Sequence, residues 1–188
     1  MGLDMNLYRK KYVKNWDYMK PSERHTVSVK KGRLIRRDIN PDKVVFIVEE
    51  VAEWRKANAI HAWFVNNVQD GNDDCQSHWV SSEKLAELRD LCKQVLDSSE
   101  LVESKVVNGY KLAKNENGEI EHIPQYEDGK TIKDPSTAKE LLPTTEGFFF
   151  GSTDYNEWYY DDIKYTFEVL DEALKQDEGA DYEYDSSW

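Results

Sequence analysis

Cysteine is scarce, with 2 among 188 residues. Two thiols cannot build the disulfide framework of a small secreted domain, so packing must hold the core and the expected setting is reducing and cytoplasmic. Long apolar runs are missing as well. No stretch approaches the roughly 20 residues of a membrane-spanning helix. The start, MGLDMNLYRKKYV, has neither the apolar block nor the small-residue cleavage site of a signal peptide. Met1-Gly2 invites myristoylation, but GLDMN does not lead to the Ser or Thr that this motif uses at position six. There is no G-x-x-x-x-G-K-[ST], no G-x-G-x-x-G and no G-x-S-x-G, which removes the common phosphate-loop, dinucleotide and nucleophile-elbow signatures.

Aromatic residues and acids are plentiful. Rings make up 12% of the chain, including 6 Trp and 11 Tyr, enough to build a core around large side chains. Net charge is −12 and unevenly spread. Residues 1–43 carry 12 Lys/Arg against 5 Asp/Glu, whereas residues 146–188 carry 2 against 13. Such a field favours a basic partner and opposes approach to nucleic acid.

Periodicity gives the expected elements. Leu3, Met5 and Leu7 alternate with polar residues as in a half-buried strand. HTVSVKKGRLIRR (25–37) reads as a hairpin turning at Lys31-Gly32. Asn40 and Pro41 suit a helix start. From there Val44, Val48, Val51, Trp54, Asn58, His61, Val65 and Val68 recur at spacings of three and four, predicting one long helix over 41–69 that Gly71 ends. Ser81 or Ser82 caps a second helix, 82–98. Residues 104–123 read as strand, turn and strand around Asn117-Gly118. A short helix spans 136–141 before Pro143, and a last helix spans 156–176, capped by Asp154 or Asn156. The expected fold is α+β. It is a single globular domain over 1–176, with a long central helix and two further helices packed with N-terminal and central β-hairpins. An acidic, aromatic tail without periodicity follows over 177–188.

Four stretches carry candidate chemistry. QDGNDDCQSHW (69–79) places Asp70, Asn72 and Asp74 at positions 1, 3 and 5 of a calcium loop, but Cys75 and Ser81 replace the required Gly and Glu. Cys75 and His78 have zinc half-site spacing. The remaining ligands would be His61 and Cys92, which lie on predicted apolar faces. The loop therefore reads as an acidic connector, and no metal or cofactor is expected. FFFGSTDY could offer backbone amides to a phosphate, which Asp154 would repel. Lys30, Lys31, Arg33, Arg36 and Arg37 form a basic hairpin that could touch phosphates.

The fourth stretch is the C-terminal acidic run with interleaved rings. Asp154, Glu157, Trp158, Asp161, Asp162, Asp177, Glu178, Asp181, Tyr182, Glu183, Tyr184 and Asp185 form the expected partner-binding surface. Carboxylates in rows imitate phosphates, and Trp and Tyr anchor interfaces.

MGLDMNLYRKKYVKNW, VEEVAEWRKANAIHAWFVNNVQDG and LLPTTEGFFFGSTDYNEWYYDDI together resemble a family of small acidic proteins of bacteriophages and prophages. The resemblance spans most of the chain and implies a phage accessory protein working in a bacterial cytoplasm. It carries no catalytic or binding residues with it. Small acidic phage proteins of this kind include inhibitors of host defence, such as anti-CRISPR and anti-restriction proteins. The leading expectation is thus a non-enzymatic inhibitor that sets its acidic surface against the basic groove of a host defence protein. The alternatives are an enzyme centred on Asp70, Asp73, Asp74, Cys75 and His78, metal-dependent or nucleotide-processing, and a DNA-metabolism accessory protein using the basic hairpin.

Overall fold

The computed structural model describes residues 2–114, 119–147, 151–175 and 179–188. In chain order it forms β1 (Asp4–Tyr12), β2 (Lys30–Lys31), β3 (Leu34–Ile35), β4 (Phe46–Arg55), α1 (Asn58–Asn67), β5 (His78–Val80), α2 (Ser82–Ser98), β6 (Leu101–Lys114), β7 (Ile120–Ile132), α3 (Ser136–Leu141), α4 (Glu157–Lys175) and β8 (Asp181–Ser187). The mixed α+β class is as expected.

The main sheet is antiparallel with order β4-β1-β8-β5. One face is apolar and carries Leu3, Met5, Leu7, Trp54, Tyr182 and Tyr184, packed with Phe64 of α1, Leu85 and Leu88 of α2, and Ile163 and Leu170 of α4. The other face is polar, where Asn6 donates to Asp185 at 3.1 Å and Lys10 pairs with Glu183 at 2.5 Å. A sheet covered on one side explains the strict alternation in β1. Each large apolar side chain buried here stabilises the fold by about 1.5–3 kcal/mol.

The long helix over 41–69 does not form. Pro41–Lys43 is a single 3₁₀ turn, residues 46–55 are strand β4, and only Asn58–Asn67 is helical. VVFIV (44–48) is a continuous apolar run that satisfies a helical stripe and a strand equally, and its β-branched residues favour the strand. Ala52 and Trp54 then alternate inward. Lys56, at φ +62°, reverses the chain between strand and helix.

The tail expectation is also corrected. Residues 181–187 form β8, an interior strand hydrogen-bonded to β1 and β5. The DYEYDSS stretch alternates with period two, and Tyr182, Tyr184 and Ser186 are its buried members. The main sheet thus includes residues 181–187, which the expected division assigned to the tail.

The caps of the remaining helices agree with the sequence reading. The Ser81 hydroxyl accepts from the Lys84 amide at 3.2 Å, and Asn156, not Asp154, caps α4. The basic hairpin is shorter than expected, with only β2 and β3 paired, and it turns at Gly32-Arg33 instead of Lys31-Gly32. Strands β6 and β7 form a long ribbon, and the predicted Asn117-Gly118 turn lies outside the described residues. Among the described residues no helix is long and apolar enough to cross a membrane.

Candidate functional site

A cleft of about 730 Å³ opens where α1 begins, where α4 begins and where the ribbon is irregular. Such a volume suits a small ligand or one to two side chains of a partner. Each wall has a local cause. Lys56 turns the chain so that Ala57, Asn58, Ala59 and Ile60 face the cleft. The register shift between Val107 and Tyr110, with Gly109 at φ +95°, places Tyr110 there. Asn58 ties the segment before α4 to α1: its Nδ2 donates to the Ser152 carbonyl at 2.8 Å and its Oδ1 accepts from the Thr145 amide at 3.1 Å.

The amino-terminal turns of α4 supply the acids. Asp154, Trp158, Asp161 and Asp162 all line the cleft. Trp158 is 42% exposed, as an interface anchor would be. Burial, reinforced by the neighbouring Asp161 charge, lifts the Asp162 carboxyl to about 7. Desolvation and like charge both disfavour the ionised form, and no described Lys or Arg is bonded to either carboxylate to offset that cost. Arg55 and Lys56 also line the cleft, with Arg55 paired to Asp4 at 3.5 Å across the surface.

The other expected binding residues go elsewhere. Glu157 accepts from the Lys130 amide at 3.2 Å at the foot of the ribbon. Asp181 accepts from the Trp79 indole at 3.4 Å, Glu183 is held by Lys10 and Ser77, and Asp185 by Asn6. Tyr182 and Tyr184 are 1% and 0% exposed and belong to the core, not to a partner surface. Tyr184 stacks on Phe64 with centroids 3.9 Å apart. Asp177 and Glu178 lie outside the described residues.

The Asp70–His78 loop is fastened at two points. Asp73 meets His61 Nε2 at 2.9 Å, and His61 Nδ1 meets the Tyr184 hydroxyl at 2.8 Å, linking the loop to α1 and β8. Asp74 meets His78 at 2.9 Å, and this hydrogen bond holds its carboxyl below the usual range. Cys75 is exposed, at φ +54°. Cys92 is buried in the core, where desolvation pushes its thiol well above the ordinary range. The four residues considered for zinc are therefore distributed among separate roles, and among the described residues no three His, Cys, Asp or Glu are placed to hold a metal ion.

Lys30, Lys31, Arg33 and Arg37 are exposed on the small hairpin, and Arg36 pairs with Asp38. Nearby in sequence, Lys14 sits 4.0 Å over the Trp16 ring, which stacks with Tyr18.

Sequence reasoning missed Lys56, Asn58, Tyr110 and Asn156 as parts of one site. The available signal was Asn58, a polar residue inside a stripe otherwise read as core. No family model, no curated protein and no solved structure matches this chain.

Proposed function

We propose that the protein is a non-enzymatic accessory protein that binds a basic partner through the α4 cleft. Its phage resemblance makes the partner a host defence protein, of the kind blocked by anti-CRISPR and anti-restriction inhibitors, and the setting a bacterial cytoplasm. The cleft would occupy a Lys/Arg-lined groove that otherwise holds nucleic acid. The surface expected over the whole C-terminal region contracts to Asp154, Trp158, Asp161 and Asp162.

The observation that carries this reading is the Asp161–Asp162 pair. No Lys or Arg of the described chain bonds either carboxylate, and Asp162 is held near neutrality by burial and by its neighbour. A cation brought from outside offsets both penalties, and the aromatic residues Trp158 and Tyr110 line the same cleft. The test is binding of the purified protein to Arg- and Lys-rich partners and peptides at low and high salt, with the Asp161→Lys/Asp162→Lys variant alongside. Salt-sensitive binding that the variant loses supports the proposal, because exposed charge attraction is screened within about 8 Å at physiological ionic strength. Equal binding by the variant overturns it. Stoichiometric metal in protein purified without chelator would instead favour an enzyme at the Asp70–His78 loop. A DNA mobility shift abolished by charge loss at Lys30, Lys31 and Arg33 would favour the basic hairpin.

A further inference from the structure

The cleft carries features that a row of acids does not need. Helix α1 begins on it, and the residue before its first turn is Ala57, whose side chain cannot cap. The amides of Ala59 and Ile60, both in the lining, find no acceptor among the described residues. Open amides at a helix start, with the positive end of the helix dipole, favour an anionic oxygen. Lys56 stands beside them, and its ammonium has no carboxylate partner among the described residues. Its stem runs between two glycines: a Cβ at Gly2 would lie 3.3 Å from Lys56 Cε, and one at Gly151 would lie 3.3 Å from Lys56 Cβ.

Asn156 gives an independent sign. It is 2% exposed and lines the same cleft. Its Oδ1 accepts from the Trp158 and Tyr159 amides at 3.1 and 3.2 Å, which fixes the amide orientation. The buried Nδ2 is left without an acceptor. A buried donor in that state is costly, and the cost is recovered when a ligand brings an acceptor.

We infer that the cleft recognises a chain end: a carboxy-terminal Arg or Lys of the partner. The cationic side chain meets Asp161 and Asp162 between the rings of Trp158 and Tyr110. The terminal carboxylate meets the first turn of α1, Lys56 and the Asn156 amide. This deepens the proposed function and rests on it. Charge decides against a phosphate ligand. Arg55 and Lys56 share the lining with Asp154, Asp161 and Asp162, so a dianion finds no excess of positive charge there. A basic residue with a free carboxylate is neutral overall and matches both signs. Carboxylate capture by clustered backbone amides is a known mode of peptide recognition.

The test uses four short peptides: one ending in a free Arg, the same peptide amidated, one with Arg internal and an apolar residue last, and one without basic residues. Calorimetric titration is expected to show the free-Arg peptide binding at least about tenfold tighter than the amide, about 1.4 kcal/mol. That preference is expected to vanish in Lys56→Ala and in Asn156→Asp, which keeps the capping oxygen and removes the donor. Melting curves check that both variants fold. Equal binding of the free and amidated forms overturns the chain-end inference and leaves the basic-partner reading standing. Failure of every Arg peptide to bind overturns both. Tighter binding of a nucleoside monophosphate than of the free-Arg peptide overturns the chain-end inference.

Discussion

DYNEWYYDD (154–162) and DYEYDSS (181–187) are alike in composition: acids interleaved with rings. Their fates are opposite. In the second stretch the rings fall on every other residue of a strand, so Tyr182 and Tyr184 enter the core while, on the polar face, Glu183 pairs with Lys10 and Asp185 accepts a hydrogen bond from Asn6. In the first the chain is entering a helix. Tyr159 turns inward, Trp158 stays partly exposed, and Asp161 and Asp162 line a cleft in which no described Lys or Arg is bonded to either carboxylate. Acid-aromatic composition therefore does not mark a binding surface. The period that distributes the rings decides whether they become core or anchor, and the partners of the acids decide whether negative potential survives.

The comparison can be broken from either side. Tyr184→Ala should have the largest effect, removing a ring stacked on Phe64 and the hydroxyl that meets His61. A loss of about 3–5 kcal/mol is expected by chemical denaturation, a large share of a typical domain's stability. Next comes Asp161→Lys/Asp162→Lys, for which binding to a basic partner should fall by about 2 kcal/mol or more, with a melting curve checking that the variant folds.

Asp162→Asn has a smaller and pH-dependent effect. The folded carboxyl sits near 7 against an ordinary 3.8, so the folded state holds this proton more tightly than the unfolded state. Stability is therefore highest below 3.8, falls as pH rises between the two values, and carries the full penalty above about 7. The Asn variant should melt roughly 2–4 °C higher than wild type above neutrality, and the gain should disappear in acid. The smallest effect belongs to Gly151→Ala. Gly151 has φ +87° and its Cβ would press on Lys56, so a loss of about 1 kcal/mol in stability is expected, with weaker binding of the free-Arg peptide.

Much of the fold was legible because local chemistry and tertiary packing agree. Ser81 and Pro143 bracket elements whose limits, 82–98 and 136–141, are those observed. Leu3, Met5 and Leu7 face the core as their alternation requires. The reading failed at VVFIV, where five consecutive apolar residues carry no period, and the helical stripe continued through them into α1. That error hid the site as well. With 41–69 taken as one helix, Lys56 and Asn58 lay mid-helix, and the start of α1 did not exist as a helix end. The acids at 161 and 162 could be read directly. The cleft that isolates them depends on Tyr110 and Asn58 arriving from distant parts of the chain, a tertiary fact with no local trace.

The most direct test of the central claim is carboxyl-detected NMR titration of Asp162, free and saturated with a peptide ending in Arg. The account predicts a free carboxyl titrating near 7 that moves down toward the ordinary carboxylate range when the cation is bound. An Asp162 that already titrates near 3.8, or one whose titration is unchanged by saturating peptide, would contradict it.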